Sequence, residues 1–110
     1  MRTKATQTLY LPAPRLNQHN ILIEVGSNPE VTQAELARKC GLSVAMVNNY
    51  MKEMCASGLL EYHRKSTKSV SYHLTSAGRE SIDMTEHDLL REVSVLFEEV
   101  RSRSRILAAD

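Results

Sequence analysis

The sequence predicts a mainly α-helical fold with one small β-hairpin and a long C-terminal helix, and three observations predict it. A capping box and two spaced glycines mark off two consecutive helices between residues 32 and 58. The hydrophobic period then changes from helical to alternating over residues 60–74. Past residue 85, an apolar seam at alternating spacings of 3 and 4 runs toward the end of the chain.

The elements follow in order. Residues 1–15 carry no helical period, and Pro12 and Pro14 argue against a helix there. This stretch reads as an N-terminal arm, with Thr6–Leu11 equally consistent with a short strand or an extended chain. Leu16, Ile21, Leu22 and Val25 suit one face of a short helix over roughly Asn17–Val25, ended by Gly26-Ser27-Asn28-Pro29. Thr32-Gln33-Ala34-Glu35 is the capping box: hydroxyl and carboxylate each accept the other residue's backbone N–H. The helix it starts buries Leu36 and Ala37 and stops at Gly41. Ser43 caps the next helix, about Val44–Ser57, which turns Val47, Met51 and Met54 inward and closes at Gly58. Leu60 and Tyr62, then Val70, Tyr72 and Leu74, alternate with polar residues around Arg64-Lys65-Ser66-Thr67-Lys68-Ser69. That pattern is a hairpin with a basic tip. The tip has no Gly or Asn, so a longer loop fits better than a two-residue turn. Tyr62 and Tyr72 fall on the inner face by this alternation. Thr75 or Ser76 caps a following helix with Gly78 in its first turn, and a long helical pattern runs from about Thr85 to Ala108.

Helix, helix, glycine turn, helix and hairpin together spell a winged helix-turn-helix. Packing of the second helix across the third leaves Val44, Ala45, Asn48, Asn49 and Lys52 on the outer face, led by Ser43 at the positive end of the helix dipole. Such a face suits the major groove of double-stranded DNA, where Asn bonds adenine bidentately. Ser43 and Lys52 suit phosphates. Arg64, Lys65 and Lys68 on the wing suit an adjacent backbone or minor groove. In the C-terminal helix, Leu90, Val93, Phe97, Val100 and Leu107 form a heptad seam, for which homodimerisation is the expected use. The expected organisation is an arm over 1–15, a winged helix-turn-helix DNA-binding domain over 16–82 and a dimerisation helix over 83–110.

A formal charge of +1 on 110 residues does not oppose this reading, because the charge is divided. Residues 1–75 carry 9 basic and 5 acidic side chains; residues 76–110 carry 5 and 8. The module is modestly basic, so tight binding needs two subunits acting together. No apolar run approaches the ~20 residues of a membrane span, and no signal-peptide stretch is visible, so a cytoplasmic protein is expected. Cys40 and Cys55 make neither a disulfide framework nor a C-x-x-C pair and are expected to act as small buried hydrophobes. His19, His63, His73 and His87 lack metal-ligand spacing, so no metal is expected, and no cofactor. No phosphate loop, nucleophile elbow or paired-carboxylate site argues for an enzyme.

Val31-Thr32-Gln33-Ala34-Glu35-Leu36-Ala37, Gly41-Leu42-Ser43, Val47-Asn48, Gly58-Leu59-Leu60 and Tyr72-His73-Leu74-Thr75-Ser76-Ala77-Gly78 carry a further signal. This set resembles the MarR-type winged helix-turn-helix transcriptional regulators. Asn28-Pro29-Glu30, Val47-Asn48 and Lys52 are similar to the short, exopolysaccharide-associated branch of that group. The resemblance spans roughly residues 18–82. It implies sequence-specific DNA binding as a dimer, with Asn48 and Lys52 on the reading helix and Arg64–Lys68 as the wing. Larger members flank the winged domain with helices on both sides and form a ligand pocket there; this chain has an arm and one C-terminal helix instead, and its effector is unknown. Asn49 stands where many winged helices carry Arg. The alternative is a winged-helix adaptor that binds another protein, with the C-terminal helix as a coiled-coil strand. RNA is the weaker third partner because the tyrosines are expected to face inward.

Overall fold

Pro12, in an extended conformation, is the N-cap of α1 (Ala13–Ser27), and Pro14 sits in its first turn. The helix therefore starts four residues before the expected Asn17 and takes in the end of the expected arm. The physical reason is that N–H groups in a helix's first turn have no intrahelical partner, so proline forfeits nothing there. The computed structural model describes residues 11–109, and side chains through Arg103; the expected strand or arm over Thr6–Leu11 lies largely outside the described residues.

α2 (Gln33–Cys40) opens on the capping box, with Thr32 Oγ1 accepting from the Glu35 N–H at 3.1 Å and Glu35 Oε1 from the Thr32 N–H at 3.2 Å. Gly41, at φ 70°, turns the chain in the left-handed region, where a Cβ is strained. Ser43 Oγ accepts from the Met46 N–H at 3.1 Å and starts α3 (Val44–Ala56). Ile21, Leu22 and Val25 of α1, Val31, Leu36 and Ala37, then Val47, Met51 and Met54 of α3 and Leu60 make one buried cluster. Cys40 and Cys55 pack partly buried against it, and desolvation pushes both thiols above their ordinary pKa.

β1 (Leu60–Arg64) and β2 (Val70–Leu74) pair antiparallel, Leu60 opposite Leu74, Tyr62 opposite Tyr72, Arg64 opposite Val70. The Lys65 N–H donates to the Ser69 carbonyl at 2.8 Å and closes the longer loop that the tip composition implies. On the other edge of β2, the Tyr72 N–H donates to the Pro29 carbonyl at 3.0 Å, tying the α1–α2 loop to the hairpin. The expectation that Tyr62 is a core residue is corrected here. Tyr62 is 46% exposed, whereas Ser71, assigned to the outer face, is 1% exposed. β1 loses its cover after Leu60, whereas β2 keeps Ser71 buried and Tyr72 and Leu74 partly buried against the core, so burial differs between the two strands and does not follow the alternation.

Thr75 Oγ1 accepts from the Gly78 N–H at 3.0 Å and donates to the Gly58 carbonyl at 2.6 Å, which caps the last helix and ties it to the end of α3. α4 (Ser76–Ala109) is a single helix of 34 residues, so the expected short helix and the long seam are one element, and residue 83 falls inside it. Its length is about 51 Å, and the molecule measures 69 × 26 × 20 Å. The helix accordingly runs beyond the body that it packs against.

Candidate nucleic-acid interface

Capping decides what α3 presents. Ser43 spends its hydroxyl on the Met46 N–H, and the i, i+3/i+4 positions Val47, Met51 and Met54 turn into the core. Val44, Ala45, Asn49 and Lys52 are left exposed, as is Met46, while Asn48 is half-buried. Gln33, in the first turn of α2, donates from Nε2 to Asn48 Oδ1 at 3.4 Å. This long hydrogen bond orients the Asn48 amide without exhausting it, since the oxygen keeps a second lone pair and the NH₂ both donors. Gln33 is absent from the sequence-derived site. Its position directly after the cap of the helix that crosses the reading helix is the signal that could have found it.

The wing cations differ in their freedom. Arg64 donates to the Tyr62 hydroxyl at 2.8 Å and to the Thr67 carbonyl at 3.4 Å, with its guanidinium 5.8 Å from the Tyr62 ring centre. Lys65 pairs with Glu30 at 2.5 Å, and that hydrogen bond, reinforced by the ammonium charge, holds the Glu30 carboxyl below its ordinary pKa. Both groups are exposed, and an exposed pair contributes only about 0–1 kcal/mol, so Lys65 can exchange Glu30 for a phosphate at little cost. The ammonium groups of Lys68 and Lys52 have no partner among the described residues.

Between α3 and the hairpin lies a cleft of about 320 Å³ lined by Asn48, Met51, Lys52, Cys55, Tyr62 and Tyr72. Tyr62 and Tyr72 meet edge to face at 5.5 Å, and burial raises the Tyr72 pKa. On the outer face of the hairpin His63 and His73 have ring centres 4.5 Å apart, on a diagonal of the register rather than directly opposite. Among the described residues no group of three metal-ligating side chains forms, and no helix is long and apolar enough to cross a membrane.

The remaining candidate residues lie on α4. Leu90 is 67% and Phe97 66% exposed, and Val93 and Val100 are exposed beside them, so the seam has no cover among the described residues. Leu107 lies outside the described side chains. Arg15 of α1 pairs with Asp88 at 2.7 Å, and this hydrogen bond is the main cause that lowers the Asp88 pKa. The structure thus brings Asn48 and Lys52 together at one cleft, sets Arg64, Lys65 and Lys68 beyond it, and keeps the α4 seam apart from both.

Comparison with known proteins bears on the fold. Residues 15–61 match the model of a family described as winged helix-turn-helix DNA-binding. No curated protein matches the chain. Among solved structures, the chain is similar to a MarR family protein of Mycobacterium tuberculosis in complex with p-aminosalicylic acid, at TM-score 0.63 and 19% identity over 86% of this chain and 76% of that one. It is similar to the PcaV transcriptional regulator of Streptomyces coelicolor, at TM-score 0.63 and 16% identity over 86% and 79% of the two chains. It is also similar to a multiple antibiotic-resistance repressor (MarR) of Listeria monocytogenes, at TM-score 0.59 and 15% identity over 86% and 69%. At such identities the likeness is one of fold. The fold is a winged helix-turn-helix, mainly helical, with a two-stranded wing and a long C-terminal helix, and its solved neighbours include MarR family regulators.

Proposed function

We propose that the protein is a sequence-specific double-stranded DNA-binding transcriptional regulator that acts as a homodimer. The observation that carries the reading is the outer face of α3. Val44, Ala45, Asn48, Asn49 and Lys52 are presented from a capped helix N-terminus, with Lys68, which has no partner among the described residues, on the wing. In this reading α3 enters the major groove, where Asn48 reads a base edge and Ser43 and Lys52 meet phosphates. Arg64, Lys65 and Lys68 follow the neighbouring backbone or the minor groove. Leu90, Val93, Phe97 and Val100, with Leu107 further on, join two subunits so that each offers one reading helix, in half-sites about one helical turn apart. The division into a DNA-binding part over 16–82 and a dimerisation helix over 83–110 belongs to the same reading.

Fluorescence anisotropy of labelled duplexes at several salt concentrations tests it. Binding should weaken steeply with salt, as expected when phosphate contacts release counterions. The adaptor reading rests on the same uncovered α4 seam. A monomer by light scattering together with no salt-dependent binding to mixed duplex DNA would favour it instead.

A further inference from the structure

We propose that two copies of the chain pair antiparallel through α4, with the two-fold axis crossing at the level of Val95. The inference rests on the homodimer reading above and fixes its geometry. Three features of the helix point to it.

The first is the order of the seam. Its four consecutive apolar layers, Leu90, Val93, Phe97 and Val100, are spaced 3, 4 and 3 residues apart and read identically in both directions, with Leu107 standing outside them. Antiparallel pairing puts Leu90 against Val100 of the second copy and Val93 against Phe97. Every layer then holds one larger and one smaller side chain, which keeps the interhelical distance even. A parallel, in-register pair stacks Phe97 on its own copy and Val93 and Val100 on theirs, with one overfilled layer between two thin ones.

The second is charge. The segment before the seam's midpoint holds Asp83, Glu86, Asp88 and Glu92 against Arg91. The segment after it holds Arg101, Arg103 and Arg105 against Glu98 and Glu99. Parallel pairing sets the acidic segments of both copies side by side. Antiparallel pairing sets each acidic segment beside a segment with a basic surplus.

The third is spacing. The body holds α4 from Gly78, packed on Leu59, to Asp88, paired with Arg15, so its midpoint on the helix is near residue 83. Twelve residues separate that midpoint from Val95 on each copy, which sets the two bodies about 36 Å apart along the helices. Adjacent major grooves on one face of a duplex repeat about every 34–36 Å. The pairing that satisfies the seam and the charges also sets the two bodies apart by about one helical turn of duplex.

The experiment uses the full chain with Cys40→Ser and Cys55→Ser, and first measures its mass in solution by sedimentation. A monomer at 100 µM would overturn the homodimer reading and this inference with it. Leu90→Cys and Val100→Cys variants are then oxidised separately and after co-refolding. Covalent dimer in the mixture and none from either variant alone is the expected result. A dimeric protein in which Leu90→Cys cross-links to itself overturns the antiparallel arrangement and leaves the homodimer intact. Because cysteine in the seam can weaken pairing, spin labels at Val95→Cys and Met84→Cys, both more than half exposed, provide a second measurement. Antiparallel pairing separates the Met84 labels by about 33 Å along the axis and leaves the Val95 labels level. Equal separations at the two positions would overturn it.

Discussion

Gly78 lies so close to Leu59 that a Cβ at its position would stand 2.3 Å from the Leu59 carbonyl oxygen. The contact is with backbone, which cannot yield as a side-chain end does, and it is where the first turn of α4 seats on the end of the α3–β1 turn. Gly78→Ala should therefore destabilise the fold by about 1–3 kcal/mol, the usual cost of overpacking, although alanine is the better helix former. Urea unfolding followed by circular dichroism checks this; a stability equal to wild type would show that α4 does not seat as described.

Asn48→Ala should relax sequence preference. A good bidentate contact discriminates by about 1–3 kcal/mol, so affinity for the preferred duplex should fall roughly 5- to 150-fold while binding to unrelated duplex hardly changes. Gln33→Ala should act in the same direction with a smaller effect, because it frees the Asn48 amide to rotate rather than removing it.

The wing cations should separate from Asn48 in their salt behaviour. Lys68→Ala should weaken all duplexes alike and lower the salt slope by about one counterion. Lys65→Ala should do the same, whereas Glu30→Gln should strengthen binding modestly, because it frees Lys65 from its intramolecular partner. Anisotropy titrations between low and moderate salt read all three; a Glu30→Gln protein that binds more weakly than wild type would contradict the assignment.

Arg15 holds Asp88 below its ordinary value of 3.8, so the folded carboxyl releases its proton at lower pH than the unfolded one. Such a group stabilises the fold above the unfolded pKa and loses that contribution as pH falls through the folded pKa. Asp88→Asn should thus reduce stability at pH 7, and the difference from wild type should shrink below about pH 4. Thermal unfolding of both proteins from pH 7 to pH 3 measures it.

What the sequence disclosed and what it withheld divide along one physical line. Local chemistry was legible. The Thr32–Glu35 capping box, Gly41 in the left-handed region, the Ser43 cap and the buried stripe Val47, Met51 and Met54 all depend on residues within a turn or two of each other, and all are present. Relationships between elements were legible only in outline, as the hairpin pairing and the packing of α2 on α3. That Tyr62 is exposed while Ser71 is buried depends on which strand the neighbouring elements cover, which period-2 alternation does not encode. The Gln33–Asn48 and Lys65–Glu30 contacts join residues 15 and 35 positions apart. Pro12 and Pro14 look like helix breakers in the sequence, because a proline's effect depends on whether it falls in the first turn or further in. Of the residues proposed to face DNA, the positions on α3 follow from periodicity, but the different freedom of Lys65 and Lys68 is visible only in three dimensions.

Selection of bound sites from random duplex DNA by the full-length protein, followed by anisotropy on the recovered sequence, tests the central claim most directly. The account predicts an inverted repeat whose half-sites lie about 10–10.5 base pairs apart, with affinity lost in Asn48→Ala and a salt slope reduced in Lys68→Ala. Recovery of no shared sequence, together with salt-independent binding that neither variant alters, would contradict it.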